Sequence, residues 1–191
     1  MNRDDIIIPD ITIKDNFLDL KPVGPDDFSK VRHVCETSIK LVSGGVLTDE
    51  DTAEWCRYVR DPAFTDKLFS QKIVGAWHGS ELLAIVAWYP AHDLANTARV
   101  DVLAVRPLFE NLGLGAALLA EVERQASSAG YETLGVRTLQ SATGFFQNRG
   151  YRISTYGVFN VTSALSLPVT FVRKNLKSGQ TVKSNRLVAS I

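Results

Sequence analysis

Apolar positions along the chain fall into two alternating rhythms. Periods near two, closed by Gly, Pro or polar clusters, predict strands over Asn16–Pro22, Gln71–His78, Glu81–Tyr89, Val100–Val105, Glu132–Arg137, Tyr151–Val161 and Val169–Lys174. Helical spacing predicts a first helix over Asp26–Val42, with Phe28, Val31, Cys35, Ile39 and Val42 on one face. Thr48 reads as the N-cap of a second helix running to Arg60, with acids in its first turn. Ala63–Phe69 is a short helical turn. Leu114, Leu118, Val122 and Ala126 then mark a helix that Gly130 stops. Ser141 is expected to cap a last short helix, which ends at Arg149 before Gly150.

The connections refine this order. Gly79-Ser80 joins two strands as a β-hairpin. Val100–Val105 and Glu132–Arg137 are linked through a helix and should therefore be parallel. The last two strands should pair antiparallel through a loop containing Pro168, with Gly157 as a candidate bulge. An α/β fold follows, with helices on both faces of a mixed sheet. No repeat or linker divides the 191 residues, so one domain spans 1–191, with 1–15 as an N-terminal extension and 175–191 as a tail.

Composition narrows the function classes. Formal net charge is +0, which favours neither nucleic acid nor an anionic membrane as a partner. No apolar run reaches transmembrane length, and the acidic start lacks a signal pattern, so a cytoplasmic protein is expected. Cys35 and Cys56 lack metal-ligand spacing, and no metal is expected.

The chemistry concentrates at Arg99–Ala126. A strand ends in Leu103-Ala104-Val105; after Arg106-Pro107 and a loop comes Asn111-Leu112-Gly113-Leu114-Gly115-Ala116 at a helix start. Unpaired N–H groups and the positive end of the helix dipole make such a junction an anion site, and glycine lets a ligand approach the backbone. A plain tight turn into a helix is the competing reading. A Walker loop is missing its Gly-Lys-Ser/Thr, and a dinucleotide fingerprint is missing its third glycine, where Leu118 stands.

This arrangement resembles the acetyl-CoA motif of the GNAT N-acetyltransferase superfamily. Ser141-Ala-Thr-Gly-Phe-Phe-Gln-Asn-Arg-Gly-Tyr151 is similar to the family's next segment, a short helix before a strand. The resemblance implies a mostly antiparallel sheet whose two parallel central strands splay apart to admit the pantetheine arm of acetyl-CoA. It assigns the backbone of Leu103, Ala104 and Val105 to that arm, and the amides of Asn111, Leu112, Gly113, Leu114, Gly115 and Ala116 to the pyrophosphate. A strand N–H near Val105 would polarise the thioester carbonyl. Phe146 and Arg149 join the coenzyme-binding set, Arg149 either approaching the phosphates or lying as a surface residue at a helix C-terminus. The implied reaction is direct attack of a small-molecule or peptidyl amine on acetyl-CoA, with a homodimer compatible.

Asp101, on the central strand, is the candidate base; a salt bridge beside Arg99 is the alternative. Three positions depart from the family pattern. Glu110 stands where Gln or Arg is usual, Phe146 replaces a proton-donating tyrosine, and Arg99 replaces an acid. These departures keep open a degenerate domain that binds acyl-CoA without turnover. His33 reads as surface, Cys35 as an inert core thiol, and His92-Asp93 as a turn. Trp55 and Tyr58 read as core packing or as walls of a substrate cleft. The acceptor is expected to meet the two N-terminal helices and the loops at Ser43–Val46 and Val161–Pro168, with Asp49, Glu50 and Asp51 as possible rim acids.

Overall fold

The computed structural model describes residues 18–44 and 46–177. The expected N-terminal arm, Gly45 and the tail beyond 177 lie outside them. Among the described residues seven strands form one sheet, β1 (Asp19–Pro22), β2 (Lys72–His78), β3 (Glu81–Pro90), β4 (Thr97–Val105), β5 (Thr133–Leu139), β6 (Arg152–Asn160) and β7 (Ser166–Asn175), in the order β1-β2-β3-β4-β5-β7-β6. The β4–β5 pair is parallel; the other neighbours are antiparallel. This topology has no place for the doubly wound parallel sheet of a dinucleotide-binding fold.

Helices cover both faces. On one face α1 (Phe28–Ser43), α2 (Asp49–Arg60) and α3 (Pro62–Phe69) bury Val31, Val34, Ile39, Val59 and Leu68 against Ile73, Ile85 and Ala87 of the sheet. On the other, α4 (Leu114–Ser128) buries Leu114, Leu118, Leu119, Val122 and Ala126 against Val86, Trp88, Ala98 and Val100. From Ala84 to Trp88 odd and even residues of β3 serve opposite cores, as strand alternation requires; the register shift against β2 breaks that alternation at Leu83, which joins Ala84 on the α4 side. The Trp88 indole N–H, sealed in this core, donates to Gln125 Oε1 at 3.1 Å. Thr48 caps α2 by accepting from the Asp51 amide at 3.0 Å.

Several boundaries differ from the sequence pattern. Val42 is exposed, because α1 turns its last apolar position away from the core toward the cavity described below. Ser141 lies inside a 3-10 turn, Gln140–Ala142, and caps nothing; α5 (Thr143–Gln147) is instead tied to the sheet by a buried Thr143–Thr170 hydroxyl pair at 3.0 Å. Pro168 sits within β7, on the sheet rather than in the loop. The irregularity in β6 falls at Ile153–Thr155, not at Gly157. Gly157 instead accommodates the Phe171 ring, which would stand 3.0 Å from an added Cβ.

Gly75 in β2 is a second close approach. A Cβ there would meet Leu82 Cδ1 at 2.6 Å, Trp77 Nε1 at 2.7 Å and Val23 Cγ2 at 2.7 Å. Gly75→Ala is expected to lower unfolding free energy by about 1–3 kcal/mol through overpacking. Gly24→Ala, where a Cβ meets nothing within 4 Å, should stay within about 0.5 kcal/mol. Urea titrations followed by circular dichroism compare the two.

Candidate functional site

The site begins with a fault in the sheet. Along β3 and β4, Ala87 pairs with Val102 but Trp88 pairs with Val100, so Asp101 has no partner and forms a bulge. The bulge reverses the facing of β4. Ala98 and Val100 pack on the α4 side, while beyond Asp101 it is Leu103 and Val105 that do so. Pairing of β4 with β5 stops at the same place: Thr97–Val100 match Thr133–Val136, and nothing later on β4 matches β5. The remaining halves diverge, and the splay expected of the central strands is present. Backbone groups of β4 that face β5 beyond Val100 have therefore lost their ladder.

A cavity of about 380 Å³ fills the divergence. Leu103, Ala104, Val105, Asp101, Gly115 and Phe146 all line it. Its far walls come from Trp55 and Tyr58 of α2, Phe64 of α3, and Phe159 and Leu167 at the β6–β7 hairpin. Trp55 and Tyr58 thus wall the cleft as well as packing against the core. Ser38, Ile39 and Val42 bring α1 to the same space. Ser43 and Gly44 lie instead on a separate depression with Asp49, outside this cavity; Glu50 and Asp51 line neither.

At the mouth, the loop after β4 turns through three left-handed residues, Leu108 (φ 71°), Asn111 (φ 61°) and Gly113 (φ 82°). Alternation of this kind turns successive N–H groups to a common side, making an anion-binding concavity. Phe109 N–H is closed onto Arg106 O at 3.2 Å, and the next bonded amide is Ala117, which donates to Gly113 O at 2.9 Å. Among the described residues, the amides from Glu110 through Ala116 meet no acceptor. Seven unpartnered donors in sequence, four of them at the start of α4, suit a diphosphate. The two glycines act differently. Gly113 supplies a left-handed N-cap; Gly115 keeps the helix close to Phe145, whose ring lies 3.4 Å from an added Cβ. Leu114 contributes only its amide, because its side chain is sealed in the core. Glu110 lines the cavity, so an acidic residue stands at the mouth of the site.

Asp101 occupies the apex where the strands part. Its carboxylate accepts from Lys67 Nζ at 2.8 Å, Gln71 Nε2 at 2.9 Å and Arg137 Nη2 at 3.4 Å. Burial favours the neutral acid, but the bonds from Lys67 and Gln71 and the charges of Lys67 and Arg137 prevail and hold the carboxyl below its ordinary value. The ion pair anticipated for Asp101 exists, although not beside Arg99. Arg99 Nη2 donates to Asp93 at 2.7 Å in the preceding loop. Nothing in the linear pattern marks Gln71 or Arg137 as partners of Asp101, since they lie 30 and 36 positions away. Only the α3–β2 corner and the parallel pairing of β5 bring them together.

The remaining side chains divide by location. Phe146 is buried, edge-on to Phe145 and Tyr151, and brings a ring rather than a hydroxyl to the cavity. Tyr151 donates to Glu123 at 3.0 Å; burial and that carboxylate push its phenol upward, so it is a reluctant acid. Arg149 donates to Phe145 O at 2.7 Å and lies 3.8 Å over the Phe145 ring, outside the cavity lining. That is the helix C-terminal position of the plainer reading. Burial pushes the Cys35 thiol up to about 12, which keeps it protonated and unreactive at neutral pH. Among the described helices none is long and apolar enough to cross a membrane.

No curated protein matches the chain. Solved structures share its fold. A GCN5-related N-acetyltransferase from Rhodopseudomonas palustris superposes with TM-score 0.74 at 22% identity, over 84% of this chain and 96% of that one. The PaiA N-acetyltransferase from Thermoplasma acidophilum, in complex with coenzyme A, gives 0.63 at 18%, over 83% and 98%. The ribosomal-protein-S18-alanine N-acetyltransferase from Escherichia coli gives 0.62 at 13%, over 90% and 99%. Residues 45–159 match the acetyltransferase (GNAT) domain, a span that holds the bulge, the splayed strands and the amide loop. The chain belongs to the GNAT acetyltransferase family.

Proposed function

We propose that this protein is an N-acetyltransferase that moves the acetyl group of acetyl-CoA to an amine by direct attack in a ternary complex. The run of unpartnered amides from Glu110 through Ala116, opening onto the cavity between β4 and β5, is the observation that carries the reading. Bound there, acetyl-CoA supplies an activated thioester. The amide loop holds the diphosphate, and the unladdered edges of β4 offer hydrogen bonds to an amide-bearing arm.

Leu103, Val105 and Phe146 exclude water from the gap, and a β4 N–H beyond the bulge polarises the carbonyl. Holding both reactants in this geometry is worth about 7–11 kcal/mol of barrier. The amine nitrogen bonds to the acyl carbon, the carbon–sulfur bond breaks, and sulfur leaves as thiolate. One proton must leave nitrogen. Asp101 is the assigned acceptor, directly or through water. A carboxylate held low is a poor base toward a free ammonium, so it serves best once the nitrogen has begun to bond and become more acidic. With Phe146 in place of a phenol, the thiolate takes its proton from solvent.

The cavity-facing Glu110 and the protonless Phe146 favour one second reading, a domain that binds acyl-CoA without turnover. Calorimetry with coenzyme A together with a thiol-release assay over a broad amine panel separates the two. Binding with release supports transfer, and binding without release supports the second reading.

Two outcomes follow for variants. Gly113→Val must force a left-handed φ on a β-branched residue and should weaken acetyl-CoA binding about tenfold or more by calorimetry. Asp101→Asn should leave coenzyme binding unchanged and lower kcat by about 10²–10⁴-fold. Because the Asp101 carboxyl titrates below its ordinary value, it is ionised throughout the neutral range. The rise of kcat/KM with pH should therefore follow the acceptor ammonium and keep its midpoint in Asp101→Asn.

A further inference from the structure

From the charged cluster at the apex of the cavity we infer that the acceptor is an α-amino acid, or a molecule with the same adjacent amine and carboxylate, carrying an apolar or aromatic side chain. This rests on the amine-transfer reading above and adds the class of substrate.

The cluster contains both signs in the order such a molecule needs. Asp101 is buried, with 8% of its side chain exposed, while Lys67 and Arg137 are 49% and 29% exposed. Both cations line the cavity. Lys67 donates to Asp101 at 2.8 Å through one of its three N–H groups. The Arg137 contact, one donor at 3.4 Å, is longer than a strong charge-assisted bond of about 2.7–2.9 Å. Among the described residues no other acceptor meets the Arg137 guanidinium. Its plane is held instead by the Phe159 ring, 3.6 Å away. Two cations against one carboxylate leave one positive charge in a mostly apolar enclosure. The cavity's other acid, Glu110, belongs to the loop after β4, beyond the strand end. A carboxylate on the acceptor completes the set: Arg137 offers it a planar fork, Lys67 a point charge, and Asp101 faces the neighbouring amine.

The rest of the wall describes the side chain. Trp55, Tyr58, Phe64 and Phe159 surround the acceptor end with aromatic surface, and Ile39 and Leu167 fill between them. Among the described residues no acid other than Asp101 stands at this end of the cavity to welcome a second cationic group, which disfavours polyamines.

The test uses products as probes, so that it does not depend on turnover. N-acetylphenylalanine and N-acetylphenethylamine differ by the carboxylate alone. Each is titrated calorimetrically into the full chain, with and without saturating coenzyme A. The acid should bind about tenfold or more tightly than the neutral compound. Arg137→Gln should erase the difference, and Lys67→Met should reduce it. Thermal melts of both variants check folding, and Lys67, exposed on α3, is the safer of the two. Thiol release with phenylalanine and phenethylamine should show the same ordering in kcat/KM. Equal binding, tighter binding of the neutral compound, or binding of neither overturns the inference while leaving acetyl transfer intact. Failure of coenzyme A itself to bind overturns the transfer reading instead.

Discussion

The ladder between β4 and β5 ends after Val100 pairs with Val136, and most of the site's character follows from that interruption. A backbone donor or acceptor without a partner costs about 1–3 kcal/mol when buried, so strands seldom part inside a packed domain. Here the parting is set by a single inserted residue. Asp101 has no partner on β3, and the strand it bends carries away the half that would have continued beside β5. Packing elsewhere holds the opening apart: α4 is anchored by Leu118 and Val122 on one face, α1 and α2 by Val34 and Val59 on the other. The unladdered groups are then a standing offer to any ligand rich in amides.

The loop after β4 extends the same logic. A helix start always leaves donors unpaired, yet most helices recover some of them with a side-chain cap. Thr48 does this for α2 and Asp61 does it for α3. At α4 the cap is Gly113, which has no side chain to offer, and the preceding amides as far back as Glu110 are equally unclaimed among the described residues. The contrast within one chain separates a helix end that is closed from one left open toward the cavity.

How much of this could be read in the residues depends on range. The helix face of Leu114, Leu118, Val122 and Ala126, the Gly79-Ser80 hairpin and the parallel relation of β4 to β5 follow from local periodicity and connection chirality, and all appear in the fold. The family motif foretold the splay. What escaped was decided by pairing between distant segments. Alternation along Val100, Val102 and Ala104 looks uninterrupted, and the bulge that reverses it is visible only against β3. Trp55 and Tyr58 have a spacing that fits core packing and a cleft wall alike, and the choice is made only where Phe159 and Leu167 of the final hairpin close the cavity opposite them. Asp101 stands out by its strand position, but its partners come from α3, the turn before β2 and β5, which no spacing rule connects.

Charge at the apex bears on chemistry as well as on recognition. An amine must shed its proton before it attacks, and a nearby cation makes that loss easier while a nearby carboxylate makes it harder. With Lys67 and Arg137 against Asp101, the balance at the acceptor position is positive, so the field favours the free amine. A carboxylate arriving with the substrate would cancel that surplus and by itself return the ammonium to favour. Pairing that carboxylate with the Arg137 fork leaves the near-neutral Lys67–Asp101 pair beside the nitrogen, so the field no longer opposes loss of the ammonium proton, and Asp101 is the nearest acceptor for the proton released once the nitrogen has begun to bond. Substrate choice and deprotonation are in this way two consequences of one arrangement, a buried acid between exposed Lys67 and half-buried Arg137, and neither needs a histidine at the site.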